Sequence, residues 1–193
     1  MTYHIVAIPE EKDLKLLNNL RNHIYQNDFR FKNKPLTSDT HITLTEVNTN
    51  DIEILKTNLE SISNTLKPFT IYQKEWELTK TDMQPNYKIE KPYTWIALRF
   101  PQRKEIYTKL DSITKDMDIN TNDNYIKNVK KIAGLVKDEE CIANHINLAN
   151  YTKREKADEC WNYFKENLPN SLFFNRIALR GKRGNLLFRV DLG

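Results

Sequence analysis

The sequence predicts an α+β fold built from two similar halves. Three observations carry that expectation. Short strand patterns and helix patterns intermix along all 193 residues. No series of long parallel crossovers dominates, which argues against a doubly wound α/β sheet. The third is a near-repeat: a strand opening on histidine lies between two helices in each half, at His41-Ile42-Thr43-Leu44 and at His145-Ile146-Asn147-Leu148.

The elements follow in order. Tyr3–Ile8 alternates as a strand and is expected to stop at Pro9. Leu14, Leu17, Leu20 and Ile24 recur at steps of three and four, the apolar stripe of an amphipathic helix. A basic loop from Asp28 to Pro35 leads to a strand over His41–Val47. Asn50 and Glu53 have capping-box spacing, and Ile52, Leu55, Leu59, Ile62 and Leu66 mark the helix behind them, closed by Pro68. Strands are expected over Phe69–Thr79 and Tyr93–Phe100.

The second half repeats the rhythm. Ile106, Leu110, Ile113 and Met117 form a helical stripe, and residues 118–140 read as an insertion holding a short helix. Cys141–Asn150 reads as a strand. Thr152 and Glu155 form a second capping box, ahead of a helix presenting Ala157, Cys160, Trp161, Phe164 and Leu168. Arg176–Leu179 and Leu186–Leu192 flank Gly181-Lys182-Arg183-Gly184 as a β-hairpin with a basic tip.

Composition narrows the function classes. There are 30 Lys+Arg against 26 Asp+Glu, a net +4, which permits an anionic substrate without the concentrated basic stripe of a long-nucleic-acid binder. Apolar runs are a few residues, far below the ~20 that span a bilayer, and no signal peptide pattern opens the chain. Two cysteines build no disulfide framework, so the expected compartment is the reducing cytoplasm. A single two-lobed domain over residues 1–193, acting as a monomer, fits this length.

The histidine strands carry the chemistry. Residues i and i+2 of a strand share a face. His41 with Thr43, and His145 with Asn147, therefore face one surface, and the intervening Ile and Leu face the helices. If the halves pack about a pseudo-twofold axis, two imidazoles meet across a cleft. One neutral imidazole can take a proton from water or a ribose hydroxyl, and one imidazolium can return a proton to the departing oxygen. An unperturbed pKa of about 6.5 lets both roles coexist. The Thr43 hydroxyl and the Asn147 amide can donate to non-bridging phosphate oxygens. No metal or other cofactor is required. Cys141 and His145 lie four apart, but no second ligand pair follows them, so zinc is not expected.

These motifs resemble those of the 2H phosphoesterases, which include the 2′–5′ RNA ligase-like proteins and cyclic phosphodiesterases. Their signature is a pair of His-x-Thr/Ser-x motifs, x usually apolar, on matching strands. The first motif here matches fully; the second has Asn147 where Thr or Ser is expected. The spacing of roughly a hundred residues and the strand around Trp95-Ile96-Ala97-Leu98 are also similar to the family. The resemblance covers nearly the whole chain. It implies two lobes whose antiparallel sheets line a central cleft, with helices outside. It also implies metal-independent hydrolysis of RNA 2′,3′-cyclic phosphates or 2′–5′ linkages, with a small RNA or nucleotide phosphodiester as partner. Degradation of cyclic di- or oligonucleotide signals is an alternative at the same site. A catalytically weak RNA- or nucleotide-binding module is another, kept open by Asn147.

Other residues carry two readings each. Phe29-Arg30-Phe31-Lys32 interleaves aromatic and basic side chains, so Phe31 either stacks a base or tucks into the core. Tyr151 either stacks a base or packs. Lys182 and Arg183 either clamp substrate or solubilise a turn. His4 is expected to be structural, His23 to lie at the surface, and Cys160, Trp161 and Phe164 to be core.

Overall fold

The computed structural model describes residues 1–32, 38–64, 66–86, 88–100, 120–121, 145–181 and 184–193. The expected helix over Ile106–Met117, most of the 118–140 insertion, Cys141, Lys182 and Arg183 lie outside the described residues.

Among the described residues, two antiparallel sheets form the frame. The first contains β1 (Thr2–Pro9), β2 (Ile42–Asn48), β3 (Phe69–Tyr72), β6 (Asn120–Thr121), β8 (Ser171–Gly181) and β9 (Leu186–Asp191). Its order is β3-β8-β1-β2-β6, with β9 also paired to β8. The second runs β4-β5-β7, from Glu77–Met83, Tyr93–Arg99 and His145–Lys153. Among the described residues, three α-helices accompany them: α1 (Glu11–Gln26), α2 (Ile52–Ser63) and α3 (Ala157–Asn167). The α+β class with antiparallel sheets is thus the one expected, but each sheet draws strands from both halves of the chain. The C-terminal hairpin joins β1 and β2, and β4 and β5 join β7.

The helix stripes behave as their spacing dictates. Leu14, Leu17, Leu20 and Ile24 of α1 are buried, and Cys160 and Phe164 of α3 are fully buried. Leu55 and Leu59 of α2 fill the same core cluster as Phe174, Leu172 and Ile71. Trp161 is partly buried against this cluster. No helix among the described residues is long and apolar enough to cross a membrane.

Four local expectations need correction. Pro9 is the last residue of β1 rather than the residue after it. The cap of α2 is Asp51, whose Oδ1 accepts from the backbone N–H of Glu53 (3.0 Å) and Ile54 (3.2 Å). Asn50 is engaged elsewhere, accepting from the N-terminal amine of Met1 at 3.2 Å. Thr152 does not cap α3: it is fully buried in the β7 ladder opposite Thr94, and a 3-10 turn over Arg154–Lys156 separates it from the helix. The run Phe69–Thr79 is two strands in different sheets. A 3-10 turn at Gln73–Glu75 divides it, held by Gln73 N–H to Asn170 O and Tyr72 N–H to Glu75 Oε2, both 2.8 Å.

Candidate active site

β2 and β7 approach each other where the two sheets meet. Ile42 and Leu44 on β2 are buried, and Ile146 and Leu148 on β7 are fully buried. His41, Thr43, His145 and Asn147, the alternate positions, are each only half-buried. A full aliphatic side chain contributes roughly 1.5–3 kcal/mol on burial. Slipping either strand by one residue would exchange those aliphatics for an imidazole and a polar group. The apolar positions therefore fix which side chains reach the cleft.

That cleft is about 200 Å³ and is lined by Arg21, Ser38, Thr40, His41, Thr43, His145 and Asn147. The four residues singled out from the two motifs thus share one cavity. Thr43 stands opposite Val6, and Val6 opposite Ala178, in consecutive strands of the first sheet. Arg180, two residues beyond Ala178 on the same face, is 3 % exposed.

His41 is held from behind by α1 and the segment before β2. Its Nδ1 lies 2.7 Å from the Asp39 carbonyl oxygen. A carbonyl only accepts, so Nδ1 carries the hydrogen in this contact. In the neutral ring, Nε2 then holds the lone pair. The segment itself is pinned: Asn18 Oδ1 accepts from Thr40 N–H at 3.0 Å and from Thr40 Oγ1 at 2.8 Å. Arg21 Nη1 donates to Ser38 O and Thr40 Oγ1, both at 3.1 Å. Asn18 Nδ2 donates to Asp39 Oδ1 at 3.1 Å. Burial pushes the His41 pKa down from 6.5 to about 4. The Arg180 cation contributes to that fall, the Asp39 carbonyl opposes it, and Arg21 and His145 add smaller repulsions.

His145 and Asn147 are held by an aromatic neighbour. Asn147 stands opposite Ala97 on β5, and His145 opposite Arg99. The small Ala97 leaves the diagonal open to Trp95, two residues away on the same strand. The Trp95 ring meets the His145 ring edge-on, with centroids 5.0 Å apart and planes at 90°. Its Nε1 donates to Asn147 Oδ1 at 3.2 Å. The Arg99 guanidinium lies 5.7 Å from the Trp95 ring centroid.

Phe31 and Tyr151 do not line the cleft. Both pack, with Trp95, against a small cluster of Met83, Ile89 and Tyr93, which stands behind the His145 half. The Tyr93 and Tyr151 rings meet edge-on at 5.1 Å. Tyr151 adopts φ 61°, a left-handed conformation uncommon outside glycine, at an irregularity in the β5–β7 pairing. Phe29 is buried, and Arg30 is buried beside it, its guanidinium 3.5 Å from the Tyr25 ring centroid. Residues 29–31 add a short ladder to β7, with Phe31 N–H donating to Tyr151 O and Lys153 N–H to Phe29 O. His4 is half-buried on β1 and lies outside the lining. His23 is exposed, as expected, and stacks on Tyr163 at 4.3 Å. Among the described residues, no group of three or more His, Cys, Asp or Glu is placed to hold a metal ion.

Sequence reasoning missed Arg21, Arg180, Trp95 and the Ser38–Thr40 segment. Arg21 had a signal: it falls four residues after Leu17 and three before Ile24, inside the apolar stripe, where an unpaired cation is out of place. Arg180 had a similar one, directly following the apolar run Ile177-Ala178-Leu179.

No family model matches the chain, and no curated protein matches it. Several solved structures are similar in fold. LigT of Escherichia coli, in apo form, has 13% sequence identity and a TM-score of 0.49, covering 99% of this chain and 96% of that one. LigT complexed with 3′-AMP gives 13% and 0.47, over 98% and 96%. Usb1 of Kluyveromyces marxianus with uridine monophosphate gives 9% and 0.40, over 99% and 97%.

Proposed function

We propose that this chain is a metal-independent phosphodiesterase in which His41 and His145 act as general base and general acid. The substrate class is a small RNA or oligonucleotide carrying a 2′,3′-cyclic phosphate or a 2′–5′ linkage. The observation that carries this reading is the meeting of two imidazoles, one hydroxyl and one amide in a single 200 Å³ cleft.

The surroundings divide the work between the histidines. His41 has a carbonyl on Nδ1 and a pKa held near 4, so at neutral pH it is the uncharged ring with a free lone pair on Nε2. It takes the proton of the attacking water. His145 enters protonated and delivers its proton to the ribose oxygen that leaves. The phosphorus gains the water oxygen and loses the ribose oxygen, giving a phosphomonoester and a hydroxyl; each histidine ends in the other's starting state. Thr43 and Asn147 donate to the non-bridging oxygens as charge grows on them, the phase in which a preorganised donor counts most. Arg21 and Arg180 raise the positive potential around the phosphate.

The test is turnover of nucleoside 2′,3′-cyclic phosphates, 2′–5′ oligonucleotides and cyclic dinucleotides by purified protein in excess chelator. Hydrolysis of either of the first two classes supports the reading. Preference for cyclic dinucleotides would reassign the substrate, and binding without turnover of any class would make the cleft a binding module. Loss of activity in chelator, restored by added zinc or magnesium, would overturn the two-histidine mechanism.

A further inference from the structure

We propose that Trp95 is a positioning residue that aims the Asn147 amide, making asparagine serve where a hydroxyl would be expected. This rests on the phosphodiesterase reading for its catalytic consequence, but the orientation itself does not.

An asparagine amide has two faces of opposite character. Its oxygen only accepts and its NH₂ only donates, and a half-turn about the last side-chain bond exchanges them. A threonine or serine hydroxyl has no such ambiguity, because it rotates to donate. Asn147 in a phosphate cleft therefore needs something to exclude the orientation with the carbonyl oxygen towards the anion. Trp95 supplies it. The indole N–H can donate and cannot accept, so the amide atom 3.2 Å from Nε1 has to be the oxygen. With Oδ1 committed to Trp95, the NH₂ is the part of the amide left for the cleft that Asn147 lines. The same ring meets His145 edge-on at 5.0 Å, so one side chain on β5 sets both members of the second motif. Trp95 is itself fixed, flanked by Arg99 on its own strand and packed with Phe31 and Tyr151 against Met83, Ile89 and Tyr93.

The experiment is a cycle of four proteins: wild type, Trp95→Phe, Asn147→Thr and the double variant, assayed on 2′,3′-cyclic AMP. Phenylalanine keeps an aromatic ring beside His145 and deletes only the directing N–H. Trp95→Phe is expected to lower turnover by at least about tenfold in the Asn147 background, short of the ~10²–10³ of losing a donor outright. In the Asn147→Thr background the same change is expected to cost less than about twofold, because a hydroxyl needs no director. Equal losses in both backgrounds would reduce Trp95 to a packing residue, and no loss in either would remove it from the site.

A readout independent of turnover separates this from the function itself. The Asn147 side-chain NH₂ signals, identified by their absence in Asn147→Thr, are expected to move on titration with inorganic phosphate in the wild type. In Trp95→Phe the movement should be markedly smaller; an unchanged response would overturn the proposal even if no substrate were hydrolysed. If Trp95→Phe does not fold, Asn147→Asp serves instead, since it retains the acceptor for the indole and lacks the NH₂. It is expected to keep the Trp95 indole N–H signal in place and to lose turnover by about 10²–10³. Full activity of Asn147→Asp would show that the NH₂ is not used.

Discussion

The two halves of the cleft present the same strand alternation and differ in what stands behind it. The His41 half is held by polar and charged groups: the Asp39 carbonyl, the Asn18–Thr40–Arg21 network, and Arg180. The His145 half is held by aromatic groups, with Trp95 against both His145 and Asn147 and a cluster of Tyr93 and Tyr151 behind it. Strand periodicity thus decides which side chains reach the cleft, and the second layer decides what each does there. Buried near two guanidinium groups, His41 is kept neutral. The contrast suits a reaction that needs one base and one acid at the same pH.

The largest effects should come from the imidazoles themselves. His41→Ala and His145→Ala are each expected to lower turnover by about 10²–10⁴, the usual contribution of a positioned proton-transfer group. Neither residue belongs to the apolar core, so thermal midpoints at neutral pH should change little. Near wild-type turnover in either variant, measured on 2′,3′-cyclic nucleotides, would break the two-sided mechanism. The comparison sharpens if the acid limb of the kcat/KM profile disappears with His41 and the alkaline limb with His145.

Next come the proposed phosphate donors, where the halves differ in chemistry. Asn147→Leu, similar in size but without a donor, is expected to cost about 10²–10³ in turnover. Thr43→Val should cost a comparable amount, and Asn147→Thr should retain measurable activity. Steady-state kinetics on the three variants tests this. Asn147→Leu at wild-type rates would mean that only the first half touches phosphate.

A third test addresses the electrostatic layer alone. Arg180→Gln removes the largest of the charge repulsions that lower the His41 pKa. The acid limb of kcat/KM, which reports the free enzyme's groups, should move upward from near 4 towards 6.5. Trp95→Phe should leave that limb in place, because Trp95 faces the other half. An acid limb unmoved by Arg180→Gln, followed from pH 3.5 to 8, would remove Arg180 from the tuning of His41.

How much of this was readable in the sequence divides along the same line. The motif residues were legible because alternation is local: Ile42 and Leu44, Ile146 and Leu148 declare the buried face, and the histidines are what remains. The α1 and α3 stripes were legible for the same reason at helical period. What supports the histidines was not, because it depends on which strands become neighbours. Nothing local places Trp95 diagonal to Asn147, or Arg180 beside His41 from more than a hundred residues away. The exchange of strands between halves was hidden for a related reason. Phe69–Thr79 reads as one strand, and only the turn at Gln73–Glu75 passes the chain from one sheet to the other. Arg21 was an exception, a cation inside an apolar stripe whose oddness was visible and unread.

The smallest effect concerns stability, and it tests whether the first half keeps its imidazole neutral at all. The folded protein holds His41 near pKa 4, while the unfolded chain returns it to about 6.5. Between those values the unfolded state binds more protons than the folded one, so stability rises with pH through this window. The contribution from a neutral His41 is fully present above 6.5, falls as the pH drops, and levels off below about 4. His41→Gln carries no titrating group. The difference in unfolding free energy between wild type and variant, measured by urea denaturation at intervals from pH 4 to 7.5, should therefore decline on acidification, with the wild type losing ground. A flat difference for His41→Gln would mean that the imidazole titrates as it does in water. The cationic and desolvating surroundings of the first half would then not be what divides acid from base, and the assignment of His41 as the base would have to be made on the Asp39 hydrogen bond alone.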